Sequence, residues 1–139
     1  MQRRSTTDWG DTMTRLLAIV ATTAIALVAG PALAQSEPAK IADTSKGKVW
    51  VDAKGMTLYT YDKDASGKST CSGQCAQQWP PLFVDGDAKA SGDWTIVSRG
   101  DGKKQWAYKG KPLYLWKDDK KPGDVTGDGV NNVWRLAKP

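Results

Sequence analysis

The chain has 139 residues, 40% hydrophobic and 25% charged, the size and balance of one globular domain. It contains no histidine and only two cysteines, which excludes Ser-His and Cys-His nucleophile pairs, a four-cysteine zinc site and an iron–sulfur cluster. The net charge of +5 is modest and its lysines are scattered, so a nucleic-acid partner is not expected.

The first segment reads as an address. Leu16 to Ala29 is an uncharged run rich in Leu, Ile, Val and Ala, preceded by Arg15, Arg3 and Arg4. Pro31 and Ala32-Leu33-Ala34 follow, an A-x-A cleavage pattern with Gln35 next. Residues 1–34 are therefore expected to be a secretory signal, with translation starting at Met1 or Met13. The run is short of the roughly 20 apolar residues of a membrane span, so no stable span is expected after cleavage. Gln35 stands where lipid attachment would need a cysteine, so no lipid anchor is expected there. The segment holds three of the 20 basic and two of the 15 acidic residues, which leaves 17 and 13, a net of +4.

Residues 35–47 are polar with little periodicity and read as a flexible leader. From 48 to 139 the period is two, and a single β domain is expected. Val49-Trp50-Val51, a Gly55 turn and Thr57 to Tyr61 read as a hairpin. Gln105 to Tyr108, a Gly110 turn and Pro112 to Trp116 repeat the scheme. Trp94 to Ser98 adds a strand, and Val133 to Leu136 a last one. One short helix is expected over Cys71 to Trp79, with Thr70 as its cap and Pro80-Pro81 as its terminator.

At a constant offset of 55, Lys54, Gly55, Leu58, Tyr59 and Asp64 recur as Lys109, Gly110, Leu113, Tyr114 and Asp119. Tyr61 becomes Trp116, and Trp79 falls on Trp134. The domain is thus expected to hold two related hairpin repeats, about 48–82 and 104–137. The expected fold is mostly β, a small sandwich or barrel-like sheet with pseudo-two-fold symmetry and one short helix near the cysteine pair.

The doubled motif is Tyr59, Tyr61, Asp64 and Tyr114, Trp116, Asp119. Between its copies lie Cys71, Cys75 and Trp79-Pro80-Pro81-Leu82. Together these residues resemble the bacterial secreted-repeat family of predicted lipoproteins with a Yx(FWY)xxD motif, a family of unknown function. The resemblance covers about Lys48 to Pro139. It implies export and tandem repeats, while Gln35 departs from the lipoprotein label. The expected location is periplasmic or secreted.

Two readings of the motif stand side by side. In a strand, Tyr59 and Tyr61 share a face, as do Tyr114 and Trp116. Either these rings fill a core while Asp64 and Asp119 organise turns, or they form an exposed platform for a sugar, a peptide or a flat cofactor. Trp79 and Trp134 are read as packing residues. Cys71 and Cys75 suit a disulfide in an oxidising compartment, whose small ring contributes about 2 kcal/mol by loop entropy. The same pair leaves open a redox role, or a Cu(I) dithiolate with Met56 if both thiols are reduced. Asp62, Asp64, Ser66 and Gly67 open like a calcium loop, but Gly73 occupies its twelfth position in place of glutamate. Neither a cofactor nor a metal is expected. A non-enzymatic envelope module binding a small ligand or an envelope protein fits these residues best; a redox or metal-handling accessory protein is the alternative. A carboxylate-only enzyme, such as a glycosidase, would need two aspartates to converge.

Overall fold

Neighbouring side chains along the strands go alternately to two apolar clusters, and this alternation organises the architecture. The computed structural model describes Gly30 and residues 37–139. The expected signal segment, Gly30 apart, lies outside the described residues. The elements are β1 (Lys40–Thr44), β2 (Gly47–Val51), β3 (Tyr59–Tyr61), α1 (Gln74–Gln78), β4 (Trp94–Ser98), β5 (Lys104–Tyr108), β6 (Lys111–Pro112), a 3-10 turn (Val130–Asn132) and β7 (Trp134–Leu136). β1 pairs with β2, β3 with β7, and β4, β5 and β6 form a third small sheet; all pairs are antiparallel. The fold is mostly β and sandwich-like. Among the described residues the strands do not close into a barrel.

On β2, Val49 and Val51 enter one cluster and Trp50 the other. Leu58 and Tyr59 divide the same way, as do Leu113 and Tyr114. The central strands are therefore buried on both faces at these positions. One cluster gathers Tyr59, Trp79, Tyr114 and Trp134 with Val49, Val51 and Leu136. The other gathers Trp50, Leu58, Trp94, Trp106 and Leu113.

The repeats are interlocked. The Trp50 N–H bonds the Ala137 carbonyl at 2.9 Å, and the Ala137 N–H bonds the Leu58 carbonyl at 2.9 Å. In the other half, the Trp106 N–H bonds the Leu82 carbonyl at 2.8 Å, and the Leu82 N–H bonds the Leu113 carbonyl at 2.9 Å. Each repeat thus lends its last segment to the other. At the centre Tyr59 and Tyr114 exchange both backbone bonds, at 2.8 and 2.9 Å. Equivalent residues meeting each other in this way is what a two-fold axis requires.

Three expectations need correction. The segment read as a flexible leader, 35–47, contributes β1, whose register runs from Lys40 opposite Val51 to Thr44 opposite Gly47. The first hairpin is short: β2 meets its other arm only at the Val51–Thr57 bridge and the Leu58 N–H to Trp50 carbonyl bond. Its residues find longer partners elsewhere, β1 for β2 and β7 for β3. The helix spans only Gln74–Gln78 and begins after Gly73, whose φ of 60° lies in the left-handed region. Thr70 does not cap it, because its N–H and hydroxyl both bond Asp64 Oδ1, at 2.7 and 2.8 Å.

Gly127 supplies a test of the packing. A Cβ there would come within 2.9 Å of both Trp79 and Tyr59. Gly127→Ala is expected to lower stability by about 1–3 kcal/mol, the usual cost of overpacking, as measured by thermal and urea unfolding. Gly129→Ala, with no atom near its Cβ but φ +81°, is expected to cost about 1–2 kcal/mol, through backbone strain alone.

Candidate functional site

The motif residues meet at the junction of the repeats. Tyr59 and Tyr114 are both 0% exposed. The Tyr59 hydroxyl donates to Asp119 Oδ2 at 2.6 Å and accepts from the Gly127 N–H at 3.2 Å. The Tyr114 hydroxyl donates to Asp64 Oδ2 at 2.5 Å and lies 2.6 Å from Ser69 Oγ. Each tyrosine is therefore held by the aspartate of the other copy. The second carboxylate oxygens are also matched: Asp64 Oδ1 takes the two Thr70 bonds, and Asp119 Oδ1 takes the Thr126 N–H and hydroxyl, at 3.0 and 2.6 Å. Burial first, and the carboxylate bond second, push both phenols well above their ordinary pKa of 10.0.

The remaining rings form a single pile in the order Tyr61, Trp134, Trp79, Trp116. Successive centroids are 4.2, 3.8 and 3.9 Å apart. The central pair, Trp79 and Trp134, is parallel to within 5°. Tyr59 meets Trp79 edge-on at 5.5 Å, and Tyr114 meets Trp134 at 5.2 Å. An exposed platform at the motif is thereby corrected. Tyr59 and Tyr114 are inaccessible, and half-buried Tyr61 and Trp116 each stack on a buried tryptophan.

Cys71 and Cys75 form a disulfide, so no thiolate pair is present to hold Cu(I). Above it sits a residue that sequence reasoning missed. Arg99 is buried, and its guanidinium bonds the Cys71 carbonyl at 2.8 Å, Gln105 Oε1 at 2.8 Å, Ser69 Oγ at 2.9 Å and Asp101 at 3.0 Å. Four partners from three stretches of chain fix the loop carrying the disulfide to β5. The only sequence signal was the Gly100-Asp101-Gly102 turn beside it. The calcium-like loop is spoken for: Asp64 holds Tyr114 and Thr70, while Asp62 pairs with Arg135 at 3.2 Å. Among the described residues no cluster of three metal-ligating side chains occurs. Asp64 and Asp119, the motif's carboxylates, are both committed to tyrosines.

A second feature lies in the other cluster. A cleft of about 680 Å³ is walled by Trp50, Trp94, Trp106 and Tyr108. Trp50, Trp94 and Tyr108 form a mutual triad with centroids 4.9–5.0 Å apart. Ile41, 50% exposed, stands at the rim with Lys89 and Asp93. Trp50 is buried, and its Nε1–H is the one buried side-chain polar atom without a partner among the described residues. None of these residues belongs to the doubled motif. Their signal was the presence of three tryptophans beyond those the motif and its Trp-Pro-Pro-Leu partner account for.

A family profile described as a secreted repeat of unknown function matches residues 40–82 and 95–138, more than half of the chain. Each match begins one strand earlier than the repeats expected from sequence, taking in β1 and β4. Neither the curated proteins nor the solved structures include a significant match. The family description and the closed disulfide agree on a location outside the cytoplasm. No helix among the described residues is long and apolar enough to cross a membrane.

The exchange of tyrosines yields two predictions. Asp119→Ala strands the Tyr59 hydroxyl and both Thr126 donors, so a loss of about 1.5–3 kcal/mol is expected in urea unfolding. Combined with Tyr59→Phe, the loss should fall short of the sum, because the two share one bond. Stability should also fall above pH 10. There the unfolded tyrosines lose protons that native Tyr59 and Tyr114 keep, so the unfolded state binds fewer protons and the slope is negative. Replacing both by Phe is expected to flatten that slope by about 1.4 kcal/mol per pH unit for each tyrosine removed, read from unfolding midpoints across pH 9–12.

Proposed function

The chain belongs to this family of secreted repeats of unknown function, and we propose that it is a non-enzymatic binding module of the cell envelope whose ligand enters the aromatic cleft. One observation carries the reading: a cleft of about 680 Å³ walled by three tryptophans and a tyrosine. The volume is that of a small-molecule site. Ring faces and edges favour a flat apolar surface on the ligand. The Trp50 Nε1–H is itself enclosed, so the polar groups that a ligand meets are those of the rim. Lys89 and Asp93 at the rim favour a ligand that is polar at its outer edge. A ring-bearing molecule with an amide or ether oxygen, such as an N-acetylated pyranose, has these features. The motif takes no part in binding on this reading; its work is to hold the two repeats together.

Titration of tryptophan fluorescence with N-acetylglucosamine oligomers and with aromatic amides is the test. Saturable quenching is expected for one class. Tyr108→Ala should weaken it at least tenfold, about 1.4 kcal/mol, without a matching loss of stability. Phe83→Ala, at an exposed ring outside the cleft, should leave it unchanged. Binding of neither class, or equal loss in both variants, would remove the reading.

A further inference from the structure

The aromatic pile and the two buried tyrosines have a property that packing does not require. A buried phenol needs an acceptor, and a neutral amide or carbonyl would serve. A carboxylate is a costlier neighbour, since burying its charge is unfavourable unless it is fully matched. Here Asp119 is only 6% exposed, and each carboxylate accepts a phenol on one oxygen and a threonine N–H and hydroxyl on the other. Besides accepting these bonds, a carboxylate can take the phenol's proton.

Four rings stack at 3.8–4.2 Å from half-buried Tyr61 to half-buried Trp116. Close overlap of that kind lets an electron vacancy move from ring to ring. The central rings, Trp79 and Trp134, each touch one carboxylate-bound tyrosine edge-on, at 5.5 and 5.2 Å. The geometry points to a one-electron relay: we propose that the stack of Tyr61, Trp134, Trp79 and Trp116 passes oxidising equivalents from the surface to Tyr59 and Tyr114, which hold them as neutral tyrosyl radicals.

The step balances. A one-electron oxidant of the radical class takes an electron from an end of the stack, leaving a tryptophan radical cation shared by Trp79 and Trp134. Tyr59 or Tyr114 returns an electron to that ring. Its hydroxyl proton moves along the existing bond to Asp119 or Asp64, giving a tyrosyl radical beside a neutral carboxyl group. No other bond forms or breaks. A small one-electron reductant, a thiol or an ascorbate-like enediol, later restores the electron, and the proton goes back. One oxidant is reduced for each reductant consumed, and the disulfide is not involved.

Pulse radiolysis of the intact protein at pH 7, with azide radicals as the tryptophan oxidant, tests the relay. The tryptophan radical should decay by a first-order process independent of protein concentration, with a matching rise of tyrosyl absorption, and the transfer should slow in deuterium oxide. Tyr61→Phe with Tyr108→Phe keeps the stacked ring and leaves only Tyr59 and Tyr114 of the four tyrosines. The tyrosyl signal, by optical and freeze-quench paramagnetic resonance measurements, should persist in that variant. It should be lost in Tyr59→Phe with Tyr114→Phe. Decay of the wild-type tryptophan radical without tyrosyl formation would overturn the proposal, whether or not any variant folds. Loss of the signal in the Tyr61/Tyr108 variant would overturn it as well, since the radical would then sit on a surface tyrosine.

Discussion

The bond between each motif tyrosine and the aspartate of the opposite repeat is the constraint on which the other features rest. It crosses the pseudo-two-fold axis twice, from Tyr59 to Asp119 and from Tyr114 to Asp64. Because both hydroxyls are buried, leaving either without its partner would cost about 1–3 kcal/mol. The same aspartates gather Thr70 and Thr126, and so position the loop that carries the disulfide and the loop that carries Gly127. Those loops in turn bound the space in which Trp79 and Trp134 stack. The motif is therefore a joint, and its spacing follows from geometry. Two aromatics at i and i+2 share a strand face, and an aspartate three further on sits at the turn, free to reach across to the other copy.

The two copies have diverged where the axis does not bind them. One loop is closed by Cys71–Cys75 and tied to β5 through Arg99; its counterpart has Thr126 and Gly127, with a glycine because a side chain would strike Trp79 and Tyr59. The aromatic cleft draws Trp50 from one repeat and Trp106 from the other, while Trp94 and the rim residues Lys89 and Asp93 come from the stretch between the two matched repeats. Symmetry thus accounts for the joint and the stack, and asymmetry for the cleft.

How much of this was legible in the residues follows from what a period of two can specify. It fixes which face a side chain takes, so Tyr59 with Tyr61, and Tyr114 with Trp116, were rightly grouped. The offset of 55 predicted that Trp79 and Trp134 would be equivalent. Periodicity does not say which strand a face will meet, so the first hairpin was drawn too long and the exchange of Leu82 and Ala137 between repeats was invisible. β1 was missed because Lys40-Ile41-Ala42-Asp43-Thr44 is an edge strand with little apolar content, defined by its pairing with β2. Thr70 looked like a cap because a cap is a local bond, whereas Asp64 offers it a better one from six positions away. Arg99 and the cleft depend on convergence from distant stretches, which one chain read in order does not display.

The exchange of segments has a consequence for folding kinetics. Tyr59 reaches its carboxylate across 60 positions and the Gly127 N–H across 68. Neither repeat contains its own closing strand, so no half of the domain can form a stable nucleus alone. A topology so rich in distant pairings folds slowly, because loop-closure entropy must be spent before the contacts return it.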